Sequence, residues 1–358
     1  MIKVLLTKWP RIHWHVFLLG FVILSCESKE TNEDKTEPVN PYTDVRWRVS
    51  LTKVAKAITS NPVNPNTIYV NTYNDYVGRG GILISYDRGE TWPAAMSPTI
   101  DTSTNQGAGD VQFIAVCPND THIVFAGGVH SSGLLRTSNG GKNWVNVLPG
   151  VDADAEAMAF NPQNPAQVFF MSYTDAGFYV SQDTGRTWQL RKLTGFGYSC
   201  TLRMHPSDPN IFVAGASKGK IIKTKDQGYN WYLVQKQVSN QSNEWPEVPA
   251  IIWDNENPNK LYATISGANG KSFSQSNNGG ETWHIKDLKE GLWAAHMTKS
   301  KLVIFGGWQS TYITNDEGKN VFKIGGDETV SGYWSITSSG NRILAISSYD
   351  RSLMMVDL

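Results

Sequence analysis

The sequence predicts an all-β fold, a seven-bladed β-propeller of four-stranded antiparallel blades whose last blade is closed by the amino-terminal strand. Three observations predict it: an eight-residue turn motif that occurs six times, a pair of short apolar strands that occurs seven times, and one extra strand near the amino terminus. Many short strands at regular spacing, separated by turn residues, are typical of propellers.

The turn motif, called the box below, reads Ser/Thr, any residue, Asp/Asn, any residue, Gly, any residue, Thr/Asn, Trp. The Asp or Asn can hold a turn through hydrogen bonds to the backbone, and the Gly supplies a positive φ. We therefore interpret the box residues as structural. The third positions of the six copies are Asp87, Asn139, Asp183, Asp226, Asn278 and Asp316, and the last copy, Thr314–Val321, ends in Val instead of Trp.

Upstream of each box lies a hairpin of two apolar strands around an Asn-Pro-type turn, as in Ala57–Val70 and Ala157–Phe170. The sequence contains seven such hairpins but only six boxes, so the last repeat is expected to end after a third strand, Ser352–Leu358. The segment Val45–Val49 then supplies the fourth strand, with Trp47 in the role of a box Trp. This closure removes the exposed sheet edges that an open ring would leave.

The boxes resemble the Asp-box of the bacterial neuraminidase repeat families, and the resemblance extends from about Val45 to Leu358. Sialidases, xyloglucan-degrading enzymes, sortilin-type receptors and the photosystem II assembly factor share this scaffold. The resemblance implies that each box is the hairpin turn between the third and fourth strands of a blade. The sialidase Arg-Ile-Pro motif is not matched by Lys53-Val54-Ala55-Lys56, so sialidase activity is not expected.

The first 26 residues are typical of an export signal, with basic Lys3, Lys8 and Arg11 before the apolar stretch Val16–Leu24. The stretch ends in Ile23-Leu24-Ser25-Cys26, which resembles a bacterial lipobox; an ordinary cleaved signal is the alternative. We expect a lipid on Cys26, a flexible tether over residues 27–44, and a propeller over residues 45–358. The predicted location is the bacterial cell envelope, on the outer membrane, with the membrane reached through the lipid anchor.

Composition excludes one class of partner. Lys+Arg and Asp+Glu balance at 32 each, and charged residues make up 18% of the chain. Nucleic-acid binding needs a clustered basic surface, so no nucleic-acid partner is expected. Metal-ligand spacing of Cys and His is not found in the sequence, so neither a cofactor nor a metal is predicted, and a monomer is expected.

Candidate site residues come from the loops at the end of the strands opposite the boxes, since binding residues sit on loops over a rigid scaffold. Asp110 and Glu156 precede the innermost strands of blades 2 and 3, while Asp75 and Asp175 lie on loops of blades 1 and 3. They are the candidate catalytic carboxylates, because glycoside hydrolysis commonly uses two. The substrate-binding candidates are Tyr73, Arg79, His130, Tyr173, Trp308, Trp334 and Arg351.

Aromatic rings mixed with carboxylates and a few cations suit sugars, which stack on rings and donate hydroxyl hydrogen bonds to carboxylates. The first hypothesis is therefore an envelope lipoprotein that binds, and as a glycoside hydrolase cleaves, a polysaccharide. A non-catalytic propeller that docks proteins during envelope assembly is the alternative. A polysaccharide lyase with Tyr173 or His130 as base is a third hypothesis.

Overall fold

All strands of the computed structural model belong to seven four-stranded antiparallel sheets arranged in a ring, which confirms the predicted propeller. The structure describes residues 38–52, 55–72, 81–96, 111–128, 133–153, 157–173, 177–236, 238, 246–267, 272–324, 333–347 and 351–358, without the side chains of Met96, Gln112, Cys200, Tyr333 and Trp334. Residues 40–358 form one compact unit. In the described part of the chain, no helix has the length and apolar character needed to cross a membrane.

The strands follow the chain in blade order. Strand β1 (Arg48–Leu51) comes first. Blade 1 contains β2 (Ala55–Ser60), β3 (Ile68–Thr72), β4 (Gly81–Ser85) and β5 (Ala94–Met96), and blade 2 contains β6 (Val111–Val116), β7 (Val124–Gly128), β8 (Leu134–Thr137) and β9 (Val145–Leu148). Blade 3 contains β10 (Met158–Phe160), β11 (Val168–Met171), β12 (Gly177–Ser181) and β13 (Gln189–Lys192), and blade 4 contains β14 (Ser199–Met204), β15 (Phe212–Ala216), β16 (Lys220–Thr224) and β17 (Tyr232–Gln235), with a short 3₁₀ turn at Ser217–Gly219.

The remaining blades continue this pattern. Blade 5 contains β18 (Ile251–Trp253), β19 (Leu261–Thr264), β20 (Phe273–Ser276) and β21 (His284–Lys286); blade 6 contains β22 (Leu292–Met297), β23 (Val303–Gly307), β24 (Thr311–Thr314) and β25 (Phe322–Lys323); blade 7 contains β26 (Tyr333–Ser339), β27 (Arg342–Ser347) and β28 (Leu353–Asp357). The first strand of each blade is the innermost, and neighbouring innermost strands such as β2 and β6 contact each other around the ring.

Blade 7 takes its fourth strand from the amino terminus, as predicted. Strand β1 pairs antiparallel with β28, with Arg48 opposite Met355 and Val49 opposite Met354. The strand begins three residues later than the predicted Val45. Trp47 precedes it and packs against an apolar cluster of blades 6 and 7 that includes Ile304 and Ile343. Joining the two ends of the chain in one sheet removes the open edge of the ring.

Large apolar side chains fill the seams between blades. At the seam of blades 3 and 4, the ring centroid of Phe212 lies 4.6 Å from that of Phe169 and 5.5 Å from that of Phe178. All three rings are fully buried. Edge contacts of this kind add to the stabilisation from burial alone. The core is thus a set of seam clusters placed around the central axis.

Each box forms the turn between the third and fourth strands of its blade and repeats one set of hydrogen bonds. In blade 3, Ser181 Oγ donates to Asp183 Oδ1 (2.7 Å) and accepts from Gly185 N (2.8 Å), while Thr187 donates to Asp183 through N (2.9 Å) and Oγ1 (2.6 Å). Burial alone would raise the pKa of Asp183, but these donors outweigh it and lower the pKa to about 2. The box carboxylates therefore serve the turn.

Candidate functional site

The two ends of the propeller differ in what they carry. In blade 1, Arg88 N of the box donates to Asn66 O of the first hairpin turn (2.9 Å), and in blade 3, Thr184 N donates likewise to Ala166 O (2.7 Å). Boxes and hairpin turns therefore share one end of the strands, called the turn end. The opposite end, called the loop end, holds the loops between second and third strands and the connections between blades.

A central cavity of about 460 Å³ is lined by the innermost strands of six blades and, in blade 5, by residues just before β18. Its wall mixes apolar residues, such as Ile58, Phe113 and Ile336, with polar residues such as Thr59 and Thr337. A concave, largely apolar wall with a few convergent polar groups is typical of ligand sites. The polar and aromatic members of the wall therefore define the candidate site.

A repeated β-bulge aims side chains into this cavity. The register shifts at the second residue of five innermost strands, between Ala55 and Ala57 in β2 and between Leu292 and Ala294 in β22, with the same shift in β6, β14 and β26. Bulges re-aim side chains and are frequent beside active sites. Lys56 and Trp293, the bulged residues of β2 and β22, both line the cavity.

A tyrosine and a carboxylate meet at the cavity wall. Tyr173, from the loop after β11, donates its phenolic hydrogen to Glu247 Oε1 (2.9 Å). Its ring lies 4.8 Å from that of Tyr198. The backbone of Glu247 pairs with Ser266 in both directions, at 3.3 and 3.1 Å. Glu247 is thereby held by blade 3 through its side chain and by blade 5 through its backbone.

Two tryptophans of blade 6 lie side by side at the loop end. Trp293 lines the cavity, and its ring centroid is 6.3 Å from that of Trp308, with 46° between the planes. Trp308 lies in the loop after β23 and keeps 52% of its surface exposed. The two rings together present adjoining aromatic surface beside the cavity, and tryptophan is enriched at interfaces.

Basic side chains lie deeper in the channel. Arg203 of β14 and His296 of β22 line both the central cavity and a second cavity of about 590 Å³, which Lys299 and Lys301 line near the turns of blades 4 to 6. His296 Nε2 is 2.7 Å from Ser338 Oγ, and Lys301 Nζ is paired with Asp254 and Glu256. Among the described residues that line the central cavity, Glu247 is the one carboxylate.

The structure brings two of the predicted site residues together with residues that the sequence did not single out. Tyr173 lines the cavity and Trp308 lies beside it. Arg351 is exposed at the loop end, where its carbonyl accepts from Ala55 N (2.8 Å), and it is not among the lining residues. Trp334 is the second residue of β26, and its side chain is not among those that the structure describes. Asp75, Asp110, Glu156, Asp175, Tyr73, Arg79 and His130 lie outside the described residues and stay predictions.

Glu247 and Trp293 are site residues that the sequence analysis did not select. Glu247 was one of many loop carboxylates in the sequence, and its hydrogen bond to Tyr173 joins segments 74 positions apart. Trp293 reads as one apolar residue in a buried strand. Its position directly before Ala294-Ala295 matches that of Lys56 before Ala57-Ile58, which is the signal that would have placed both at the bulge.

Comparisons with known proteins give partial matches. The family model "Sortilin, neurotensin receptor 3" matches residues 132–275. The Xyloglucanase Xgh74A of Acetivibrio thermocellus is 23% identical over 266 residues, which cover 64% of this chain and 32% of that protein. The chain thus spans about a third of the length of this curated relative. In sequence, the chain resembles glycoside hydrolase propellers.

Solved structures share the fold. YCF48 from Cyanidioschyzon merolae matches with a TM-score of 0.60 and 16% identity, over 87% of this chain and 98% of that chain. A second YCF48 structure, described as bound to a D1 peptide, has the same TM-score and identity and covers 90% of this chain and 99% of that chain. The GH74 enzyme of Niastella koreensis matches with a TM-score of 0.53 and 16% identity, over 84% of this chain and 64% of that chain. The sortilin family model, the xyloglucanase relative, these solved structures and the seven-bladed ring together fit the predicted propeller superfamily.

Proposed function

We propose that this chain, a propeller of the superfamily that includes sialidases, sortilin-type receptors and photosystem II assembly-factor-like proteins, binds a polysaccharide at the loop end of its central cavity. One observation carries the proposal: the cavity wall brings together Tyr173, Glu247 and Trp293, with the exposed Trp308 beside Trp293. The similarity to xyloglucanases supports a sugar as the ligand.

In this proposal each residue has a chemical role. The rings of Trp293 and Trp308 stack against pyranose faces. Glu247 accepts hydrogen bonds from sugar hydroxyls, and Tyr173 orients it by donating to Oε1. Lys56, aimed into the cavity by its bulge, donates to ring or hydroxyl oxygens. Aromatic anchors carry a large share of binding energy in well-packed sites, so the tryptophans are expected to dominate affinity.

Cleavage of the bound polysaccharide would require a second carboxylate beside Glu247. Glycoside hydrolysis commonly requires two carboxylates across the bond, and Glu247 would supply one. Its partner would come from the predicted carboxylates Asp75, Asp110, Glu156 and Asp175, which lie outside the described residues. We therefore put binding first and treat hydrolysis as an outcome of the test.

The test is a binding screen of residues 40–358, the compact unit, against a polysaccharide panel that includes xyloglucan, with analysis of products for every polysaccharide that binds. Binding with new reducing ends indicates a hydrolase, unsaturated products indicate a lyase, and binding without products indicates a capture protein. No binding to any polysaccharide would overturn the proposal.

A second candidate function is the docking of a peptide at the same cavity without catalysis. The YCF48 structure described as bound to a D1 peptide supports it, because the match covers 99% of that chain and the xyloglucanase match covers 32% of Xgh74A. A negative polysaccharide screen, followed by binding to an immobilised peptide library, would favour docking.

The proposed location is the cell envelope, with the chain anchored by a lipid on Cys26. The lipobox-like Ile23-Leu24-Ser25-Cys26 supports this, and these residues lie outside the described part of the chain. Fractionation of cells that express the full chain or its Cys26→Ala variant would test it. Equal membrane retention of both would contradict the anchor.

A further inference from the structure

Blade 6 displays the most exposed aromatic residue of the candidate site on a loop that is held from outside the blade. We infer that Glu290, in the connection between blades 5 and 6, is a positioning residue that fixes the turn carrying Trp308, so that Trp308 and Trp293 form one stacking surface. The inference rests on the proposed function, and it names the residue that prepares the site for its ligand.

The carboxylate of Glu290 uses both oxygens on this turn. Oε1 accepts from Gln309 N (2.5 Å) and Ser310 N (3.1 Å), and Oε2 accepts from Tyr312 Oη (3.0 Å). Hydrogen bonds to an ionised acceptor are stronger than neutral ones. Three donors from a four-residue stretch therefore converge on one carboxylate directly after Trp308.

The donor Tyr312 is well suited to this role. Burial, followed by the nearby charge of Glu290, raises the pKa of Tyr312 to about 12. A tyrosine hydroxyl is protonated at neutral pH in any case, and the raised pKa of Tyr312 extends its role as a donor into the alkaline range. Tyr312 belongs to β24, so the same carboxylate links the turn to the third strand of blade 6.

Glu290 is itself held in place by blade 5. Ser272 Oγ donates to the Glu290 carbonyl (2.6 Å) and accepts from Leu288 N (2.7 Å). Gly307, the last residue of β23, completes the fit, because a Cβ at this position would collide with the Glu290 carboxylate. Hydrogen bonds to Glu290 thus connect the turn of blade 6 to the segment between blades 5 and 6.

The consequence for binding follows from the cost of ordering an exposed loop. A ligand that must immobilise a flexible side chain loses part of the interaction free energy, and a loop ordered beforehand avoids that loss. Glu290 orders the turn in the free protein. Trp308 is therefore presented in a fixed position although half of its surface is exposed.

Amide hydrogen exchange tests the anchoring without any ligand. In Glu290→Ala, exchange at Gln309 and Ser310 is expected to accelerate about tenfold or more, as the loss of charge-assisted bonds implies. Exchange elsewhere in the chain should stay unchanged. Glu290→Gln keeps one acceptor oxygen for the two amides and should retain most of their protection. If Glu290→Ala does not fold, Tyr312→Phe, which removes one of the three donors, takes its place with a smaller expected acceleration. Unchanged exchange at both amides would overturn the inference.

A double-mutant cycle tests the effect on the site, with a soluble xyloglucan oligosaccharide as the probe. Trp308→Ala should weaken binding about tenfold or more, and Glu290→Ala about two- to tenfold. In the Trp308→Ala background, Glu290→Ala should add nothing, because there is no ring left to position. The matched control is Glu256→Ala, which removes an exposed carboxylate near the turn end and should not change binding.

The outcomes separate the inference from the proposed function. If Trp308→Ala weakens binding and Glu290→Ala does not, the positioning role is wrong and the proposed function stands. If Trp308→Ala has no effect on an oligosaccharide that binds, or if the wild-type chain does not bind it, the stacking role fails together with the proposed site for that glycan. Additive effects in the cycle would also overturn positioning.

Discussion

At the turn end of the propeller each box repeats the same hydrogen bonds, whereas at the loop end each blade makes contacts of its own. Asp183 accepts from Thr187 in blade 3 as Asp87 accepts from Thr91 in blade 1. At the loop end, Glu247 is held by Tyr173 and Glu290 holds a turn of blade 6, and no second blade repeats either contact among the described residues. The repeated end stabilises the ring, and the varied end is free to bind.

Alanine substitutions of two tryptophans, one at each end of the propeller, should differ most in their effect on stability. Trp144, in the box of blade 2, is buried in the cluster of blades 1 and 2 and donates to Gly141 O (3.2 Å). Trp144→Ala should lower the free energy of unfolding by about 3–5 kcal/mol. Trp308→Ala should change it by no more than about 0.5 kcal/mol and should instead weaken polysaccharide binding. Denaturant unfolding and titration with the best-binding polysaccharide measure both quantities.

Equal destabilisation by Trp308→Ala and Trp144→Ala would contradict the predicted difference between the two tryptophans. That result would make Trp308 a core residue despite its exposed ring, and its loss of binding would then report unfolding.

Glycines give the next effect, with a matched control at the loop end. Gly185, in a box, has a φ of +77°, and a Cβ there would collide with the ring of Phe125 in blade 2. Gly195, in the connection from blade 3 to blade 4, has a φ of +87° and nothing within 4 Å of a Cβ. Alanine at either position costs about 1–2 kcal/mol for the left-handed backbone. Gly185→Ala should cost about 1–3 kcal/mol more for the overpacking.

Thermal unfolding of the two variants checks this difference. Equal losses of stability would mean that the box glycine serves only its own turn and has no packing role between blades.

The contrast between the two ends also explains what the sequence could predict. A box occurs once in each of blades 1 to 6 because each blade needs the same turn, so the box residues and the closure by the amino-terminal strand could be predicted from the repeat alone. The closing strand begins at Arg48 rather than Val45, and Trp47 packs against the apolar cluster of blades 6 and 7 ahead of the paired stretch.

The site could be predicted only in part. Tyr173 and Trp308 were selected because they lie on loops, and the structure places them at the cavity. Glu247 and Glu290 owe their positions to partners distant in sequence or to an adjoining blade. Such contacts have no periodic signal, since a single blade makes each of them. Trp293 depends on a bulge, which shifts one side chain without changing the apolar character of the strand.

Acid should weaken the boxes at the turn end. Burial opposes ionisation of Asp87 and Asp183, but the hydrogen bonds of their boxes lower the pKa of each to about 2, from an ordinary 3.8. Because the pKa is depressed in the folded chain, this stabilisation is nearly complete above about pH 5 and is lost as the pH falls through 3.8 towards 2. Melting temperatures measured between pH 5 and pH 2 should therefore decline.

Boxes with Asn supply the control for the acid effect. Asn139 and Asn278 accept the same backbone hydrogen bonds and do not titrate. Asp183→Asn should therefore fold, and its melting temperature should decline less steeply with acid than that of the wild-type chain. An identical decline would assign the acid sensitivity to other groups, with Glu90 next, since hydrogen bonds from Arg48 lower its pKa to about 2.

Removal of a single tyrosine hydroxyl should have a smaller effect on polysaccharide binding, and only at the loop end. Tyr173→Phe keeps the ring contact with Tyr198 and removes the bond to Glu247. Tyr229→Phe, near the turn end, keeps the stacking of Arg191 on the ring at 3.9 Å and removes the acceptor for Arg191 Nη2. One hydrogen bond is worth about 0.5–1.5 kcal/mol, so Tyr173→Phe should weaken polysaccharide binding about two- to tenfold. Tyr229→Phe should leave binding unchanged. Isothermal titration of both variants decides the point: if neither hydroxyl matters, Glu247 needs no orientation and its role in the site is lost, and if both matter equally, the ligand is not confined to the loop end.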